Sequence, residues 1–306
     1  MAQFNIYQAV TDRIISQLEK GVIPWRKPWK VSGVPIRFKE DLTKLAFNRV
    51  TKLAYGALNQ MLLSRVGEYA SFKQWTDLGG KIKKGAKSEI VVFWKWLDYK
   101  DESNVDENGN PKIKRVPYLK HYLVFHISDV EGVEPLQLTE LNEGEEKPEP
   151  DCFDSIEEAE RIMNEYVTRE NMPIEYHGNS ACYSPMFDRV TLPERFKFGM
   201  NSAEFYSTAF HELTHSTGAE HRLNRPIRNH FGDTAYSKEE LVAEIGASGM
   251  LNILNIETPE SFTNSVAYIQ SWISQLKKDN KLIVMASAQA EKAIKYIIDG
   301  KESEAA

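Results

Sequence analysis

The sequence predicts an α+β protein of two domains, and three observations carry that expectation. The stretches that read as strands are few, and a long run of helical patterns follows them in the second half. The segment Leu141-Asn-Glu-Gly-Glu-Glu-Lys-Pro-Glu-Pro150 is acidic, rich in Pro and Gly, and without apolar periodicity, so it reads as a solvated linker. The charge also changes sign along the chain. Residues 1–100 hold 18 Lys and Arg against 8 Asp and Glu, whereas the remaining 206 hold 20 against 36. The expected parts are a basic α+β domain with a β-hairpin at 1–140, a linker at 141–150 and an acidic α+β domain at 151–306. With 306 residues the chain is long enough for two cores.

In the first part, Ile6, Val10, Ile14 and Leu18 recur every four residues and predict a helix that Gly21 and Pro24 end. A second helical pattern covers Leu53 to Val66. A third opens at Ser71, a candidate N-cap, and stops at Gly79-Gly80. Ile90 to Leu97 and Tyr118 to Val130 read as strands, and the turn signal Asn108-Gly-Asn-Pro111 makes them a hairpin with a long tip. In the second part, Ile156 to Val167 is helical, and Pro173 to Tyr176 and Asp188 to Leu192 are strands. Helices follow at Phe205–Thr217, Ser237–Asn252, Ser265–Lys277 and Lys281–Ile298.

Composition narrows the class further. Hydrophobic residues make up 42% and charged residues 27%, and no stretch approaches the ~20 apolar residues that cross a bilayer. The start, MAQFNIYQAVTDRI, lacks the basic and apolar regions of a signal peptide, so a cytoplasmic monomer without membrane contact is the default expectation. Two cysteines, Cys152 and Cys182, form neither a disulfide framework nor a thiolate metal pair.

The sharpest motif is His211-Glu212-Leu213-Thr214-His215 on a predicted helix. Residues four apart share a face, so His211 and His215 can aim nitrogens at one divalent ion, zinc first and manganese as an alternative, one per chain. Glu212 stands aside, where it can serve as general base to a water whose pKa zinc lowers towards ~7. Two residues compete as third ligand. His221 continues a metzincin-like spacing through Gly218, whereas Glu240 on the next helix gives a gluzincin-like set. In that second arrangement Glu244, one turn beyond Glu240, hydrogen-bonds a ligand histidine. The stretch Ala181 to Pro193 fits a strand bordering the cleft, along which an extended peptide substrate pairs. Tyr183 within it is a candidate to stabilise an oxyanion.

The first part is basic and aromatic. Trp25 and Trp29 flank Arg26, Lys27 and Lys30, and a second cluster, Lys81, Lys83, Lys84 and Lys87, leads into a strand with Phe93, Trp94 and Trp96. Cations beside aromatic faces neutralise phosphates and stack bases, which suits single-stranded DNA bound without strong sequence preference. The competing reading puts the tryptophans in a core and the lysines on a solvated face.

Taken together these blocks resemble the ArdC family of plasmid and phage antirestriction proteins. The resemblance rests on Val10-Thr-Asp-Arg-Ile14, Pro24-Trp-Arg-Lys-Pro-Trp29, Tyr55-Gly-Ala-Leu-Asn59, Phe72-Lys-Gln-Trp75, Tyr183-Ser-Pro185, His211 to His215, Thr217-Gly218, Arg222-Leu223, Phe231-Gly232 and Glu239 to Gly246. It implies an N-terminal single-stranded-DNA-binding domain and a C-terminal zincin-like, gluzincin-type metallopeptidase domain. It further implies protection of incoming DNA from restriction, compatible with carriage into a recipient cell, and it favours Glu240 as third ligand. Two functions remain open: a zinc peptidase localised by DNA, and a DNA-shielding protein whose zinc is structural.

Overall fold

The computed structural model describes residues 4–27, 43–105, 111–136, 155–199, 202–227, 234–256 and 266–300. Helix α1, Ile6–Leu18, is capped by Asn5, whose side chain accepts from the Tyr7 and Gln8 amides at 3.0 and 3.3 Å. Its Val10, Ile14 and Leu18 stripe is buried. Next come β1, Ala46–Asn48, helix α2, Ala57–Leu62, β2, Gly67–Ser71, and helix α3, Phe72–Asp77. Ser71 closes a capping box on α3 with Gln74. Helix α2 is much shorter than the Leu53–Val66 pattern predicts, because the flanking backbone bonds elsewhere. Phe47 bridges Ala54, the Tyr55 amide donates to Ala46 O, and the Ser64 amide donates to Glu89.

Strand β3, Lys81–Ile82, precedes the long hairpin of β4, Glu89–Val105, and β5, Pro111–His126, and β6, Val130–Glu131, pairs back on β3. The expected turn at 108–110 lies outside the described residues, as does the expected linker at 141–150. Strands β1, β2, β5 and β4 form one sheet in that order, parallel at β1–β2 and antiparallel elsewhere.

The second part opens with helix α4, Ser155–Glu170. A small sheet follows, with strands β7, Ile174–Tyr176, β8, Cys182–Ser184, and β9, Arg189–Leu192, in the order β7-β9-β8. Helices α5, Ser202–Ser216, α6, Thr234–Ile253, α7, Val266–Lys278, and α8, Leu282–Asp299, complete it. No helix among the described residues is long and apolar enough to cross a membrane.

The largest core does not respect the charge boundary. It joins Val10, Ile14, Leu18, Trp25 and Met61 from the first part to Phe210, Leu241, Met250, Ile283 and Ile294 from the second. The basic loop is stitched into it. Trp25 is fully buried, edge-on to Trp272, and its carbonyl accepts from Ser248 Oγ at 2.7 Å, while Asn252 Nδ2 donates to the Lys27 carbonyl at 3.2 Å. This corrects the DNA role predicted for Trp25, whose ring has no free face to offer a base. Arg26 and Lys27, beside it, are half-buried. Burial lowers the pKa of Arg26, which Tyr268 and Glu244 partly offset, and Lys27 Nζ donates to Gln17 Oε1 at 3.0 Å. Trp29 and Lys30 lie outside the described residues.

Because Trp25 plugs a core common to both parts, Trp25→Ala is expected to remove about 3–5 kcal/mol of unfolding free energy. Chemical denaturation followed by circular dichroism measures it, and a loss below about 1 kcal/mol contradicts this burial.

Candidate metal centre

Helix α5 presents the motif. Its end is fixed by backbone bonds from Thr217 to Leu213 and from Gly218 to His215, at 3.2 and 2.8 Å. His211 Nε2 and His215 Nε2 stand 3.1 Å apart, with Glu240 from α6 opposite them. The Glu240 oxygens lie 3.6 Å from His211 Nε2 and 3.5 Å from His215 Nε2. These three ligand atoms fall within 4.8 Å of one another, the one such group among the described residues. A tetrahedral ion with bonds of 2.0–2.2 Å spaces its ligand atoms ~3.3–3.6 Å apart, so this donor set fits a divalent cation.

What brings α6 close enough is Gly246. A Cβ there would stand 2.6 Å from Thr214 Oγ1 and 2.7 Å from Thr214 Cγ2, so only glycine allows the helices to meet at that point. Thr214 is itself pinned, its Oγ1 donating to Phe210 O at 2.7 Å.

A buried carboxylate backs the second histidine. Glu239 Oε1 lies 3.3 Å from His215 Nδ1, and Arg225 donates to both Glu239 oxygens, at 2.7 and 3.0 Å. Arg225 also donates to Thr214 O and Thr217 Oγ1, each at 2.7 Å, tying this support to the end of α5. Burial pushes the Glu239 carboxyl up, but His215 and Arg225 hold it below the usual range. With Glu239 accepting at Nδ1, His215 keeps the Nε2 lone pair for the site.

From the sequence, Glu244 is the residue expected to hydrogen-bond a ligand histidine. The structure corrects this: His211 Nδ1 has no hydrogen-bond partner among the described residues, and Glu244 lies against Tyr268 with His211 and Arg26 in electrostatic reach. Burial raises the Glu244 pKa. The same burial would lower that of His211, but Glu240, Glu212 and Glu244 override it and lift the imidazolium to about 9. Glu239 was missed because two adjacent glutamates sit 100° apart on a helix, and periodicity does not say which reaches a histidine.

Glu212 is buried beside the ligands, and its Oε2 accepts the Tyr183 amide at 2.8 Å. Tyr183 lies on β8, the outer strand of its sheet. The oxyanion role predicted for its hydroxyl is corrected. That group donates to Asp188 Oδ1 at 2.8 Å, and burial together with Asp188 lifts its pKa to about 12. Asp188 is in turn gripped by Arg222 at 2.7 and 2.9 Å, and Arg222 Nε donates to Glu170 at 2.9 Å. His221 stands on the far side of this cluster, 59% exposed, 3.3 Å from Asp188 and outside the ligand group. The metzincin-like alternative is thereby corrected, because the turn at Gly218 leads His221 to Asp188.

The predicted lysines Lys81, Lys83, Lys84 and Lys87 are all exposed, though Lys83 Nζ donates to Ser128 O at 2.9 Å. Trp94 is 39% exposed and borders a cavity shared with Lys292 and Lys295 of α8.

The Thr214–Gly246 contact is open to a direct test. Gly246→Ala is expected to cost about 1–3 kcal/mol of stability by overpacking and to weaken divalent-ion binding measured by calorimetry. Adding Thr214→Ala should restore most of both, whereas simple additivity of the two losses contradicts the contact.

Comparison with known proteins agrees with this geometry. The signature of the N-terminal domain of anti-restriction factor ArdC matches residues 4–125, and that of a zincin-like metallopeptidase matches residues 157–289. The chain is 30% identical over 290 residues to the protein y4eC of Sinorhizobium fredii (strain NBRC 101917 / NGR234), covering 94% of this chain and 89% of that one. It is also 30% and 29% identical to two proteins named DNA primase TraC from Escherichia coli, over 95% of its own length but only 20% and 27% of theirs. Among solved structures, the antirestriction ArdC protein from R388 plasmid superposes with a TM-score of 0.65 in its metal-free form, at 29% identity over 96% of this chain and 97% of that one. Its Mn(II)-bound form gives 0.68, at 27% identity over 98% and 100%. The chain therefore belongs to the ArdC family of antirestriction proteins, with an ArdC N-terminal domain and a zincin-like C-terminal domain in a mixed α+β fold.

Proposed function

We propose that this antirestriction protein is a divalent-metal peptidase that binds single-stranded DNA through residues 1–140 and cleaves a protein substrate with residues 151–306, protecting incoming DNA. The observation that carries the peptidase half is the convergence of His211, His215 and Glu240 with Glu212 beside them. Zinc is the ion that two imidazoles and a carboxylate favour, and the Mn(II) held by the R388 protein supports a divalent ion more generally. Such an ion supplies Lewis acidity, lowering the pKa of a water and polarising a carbonyl.

The chain's own residues supply the rest. Glu212 takes the proton of the attacking water as its oxygen bonds to the peptide carbonyl carbon, and returns it to the amine nitrogen as the C–N bond breaks. The Tyr183 amide fixes the Glu212 carboxylate, and Glu239 with Arg225 fixes the tautomer of His215. Strand β8 lies at an edge of its sheet, and because the Tyr183 N–H is spent on Glu212, an extended peptide running along it pairs through the Tyr183 carbonyl. The hydroxyl of Tyr183 has no part in this scheme, since Asp188 holds it.

Glu212→Gln keeps every metal ligand and removes the base. It is expected to retain one divalent ion per chain by metal analysis while cutting hydrolysis of labelled casein about 100- to 10,000-fold. Survival of a transferred plasmid in a restricting recipient should fall with it. Antirestriction undiminished in that variant favours DNA shielding with a structural ion instead.

A further inference from the structure

The outer face of the four-stranded sheet carries a cavity that the peptidase reading leaves unused. Its volume is about 660 Å³, within the range of small-ligand pockets. Tyr55, Phe93 and Tyr122 wall it, with Lys73 and Lys95 at the rim, and no carboxylate is among its lining residues. The rings pack tilted or edge-on against one another, which leaves the outward face of Phe93 as the open aromatic surface. Phe93 lies 6.3 Å from Tyr55 at 44° and 5.9 Å from Tyr122 at 67°. Phe93 is 39% exposed, so its ring is open to a partner.

The hairpin continues this chemistry outwards. Antiparallel pairs stand on one face, so Phe93 opposite Lys120 and Lys95 opposite Tyr118 put two aromatics and two lysines side by side. Lys120 Nζ sits 5.1 Å from the Tyr122 ring centre. Alternating rings and cations on one strip are what a single strand requires, with bases stacked and phosphates neutralised. Of the two lining amides, Asn48 spends its Oδ1 on the Val50 and Thr51 amides, both at 3.0 Å. Its Nδ2 faces Gln74 at 3.4 Å, so it offers little to read a base edge.

We infer that this cavity is a nucleobase pocket: one unstacked base of single-stranded DNA enters it and stacks on Phe93, beside Tyr122 and over Tyr55, while Lys73, Lys95 and Lys120 hold the neighbouring phosphates. The inference rests on the DNA-binding half of the proposed function and moves that function from the Trp25 loop to the sheet. With the Asn48 amide already paired, the pocket is expected to discriminate little between bases.

The test uses the full chain and a labelled thymidine 20-mer carrying one 2-aminopurine, whose fluorescence falls on stacking. Phe93→Ala and Tyr122→Ala, each checked for wild-type thermal unfolding, are expected to weaken binding about 5- to 150-fold and relieve the quenching. Lys73→Gln combined with Lys95→Gln should reduce the slope of log affinity against log salt by about 1.4. Variants within twofold of wild type, or equal affinity for an abasic strand of the same length, overturn the pocket while leaving DNA binding in place. Wild-type protein that binds no strand at low salt, or that releases it to an acidic peptide of equal charge, removes both.

Discussion

Helices α5 and α6 meet at Thr214 and Gly246 with no room for a single added carbon, and much of the site follows from that closeness. It lets Glu240 reach across to two histidines on the neighbouring helix, and it sets Glu239 beneath the second of them. Arg225 then fills the space under the contact, donating to Thr214 O, Thr217 Oγ1 and Glu239 together. A buried guanidinium would be costly alone, yet each of these bonds is to a group fixed by the same two helices. Helix packing thus positions the candidate ligands His211, His215 and Glu240, and fixed ligand geometry is the condition for selective coordination.

The second constraint is the core that the two parts share. Trp25 and its loop lie on α6 at Ser248 and Asn252, within two turns of Glu244. Helix α1 and α2 pack on α7 and α8, and Glu291 of α8 accepts the Ala57 amide at 2.8 Å. A protein built this way does not carry its N-terminal half as a detachable module.

Much of this was legible in the sequence, for identifiable reasons. Helix α1 follows from its four-residue apolar repeat, and the start of α3 from Ser71, because both signals are local. The i, i+4 histidines declare themselves in the same way. What failed were features decided by distant partners. Composition alone does not tell a buried Trp25 from an exposed Trp94, because the difference lies in whether α6 and Trp272 cover the ring. The Leu53–Val66 pattern shortens to α2 because β1 and Glu89 capture its flanks. Tyr183 and His221 look functional by position, yet both are claimed by Asp188, which the chain brings back from a neighbouring turn.

Close packing of α5 and α6 is proposed to build one divalent-cation site from His211, His215 and Glu240. Anomalous diffraction from crystals of the zinc- or manganese-loaded protein measures this directly. The expected result is a single peak about 2.0–2.2 Å from both Nε2 atoms and a Glu240 oxygen. A peak ligated by His221 and Asp188, or no peak between α5 and α6, would contradict it.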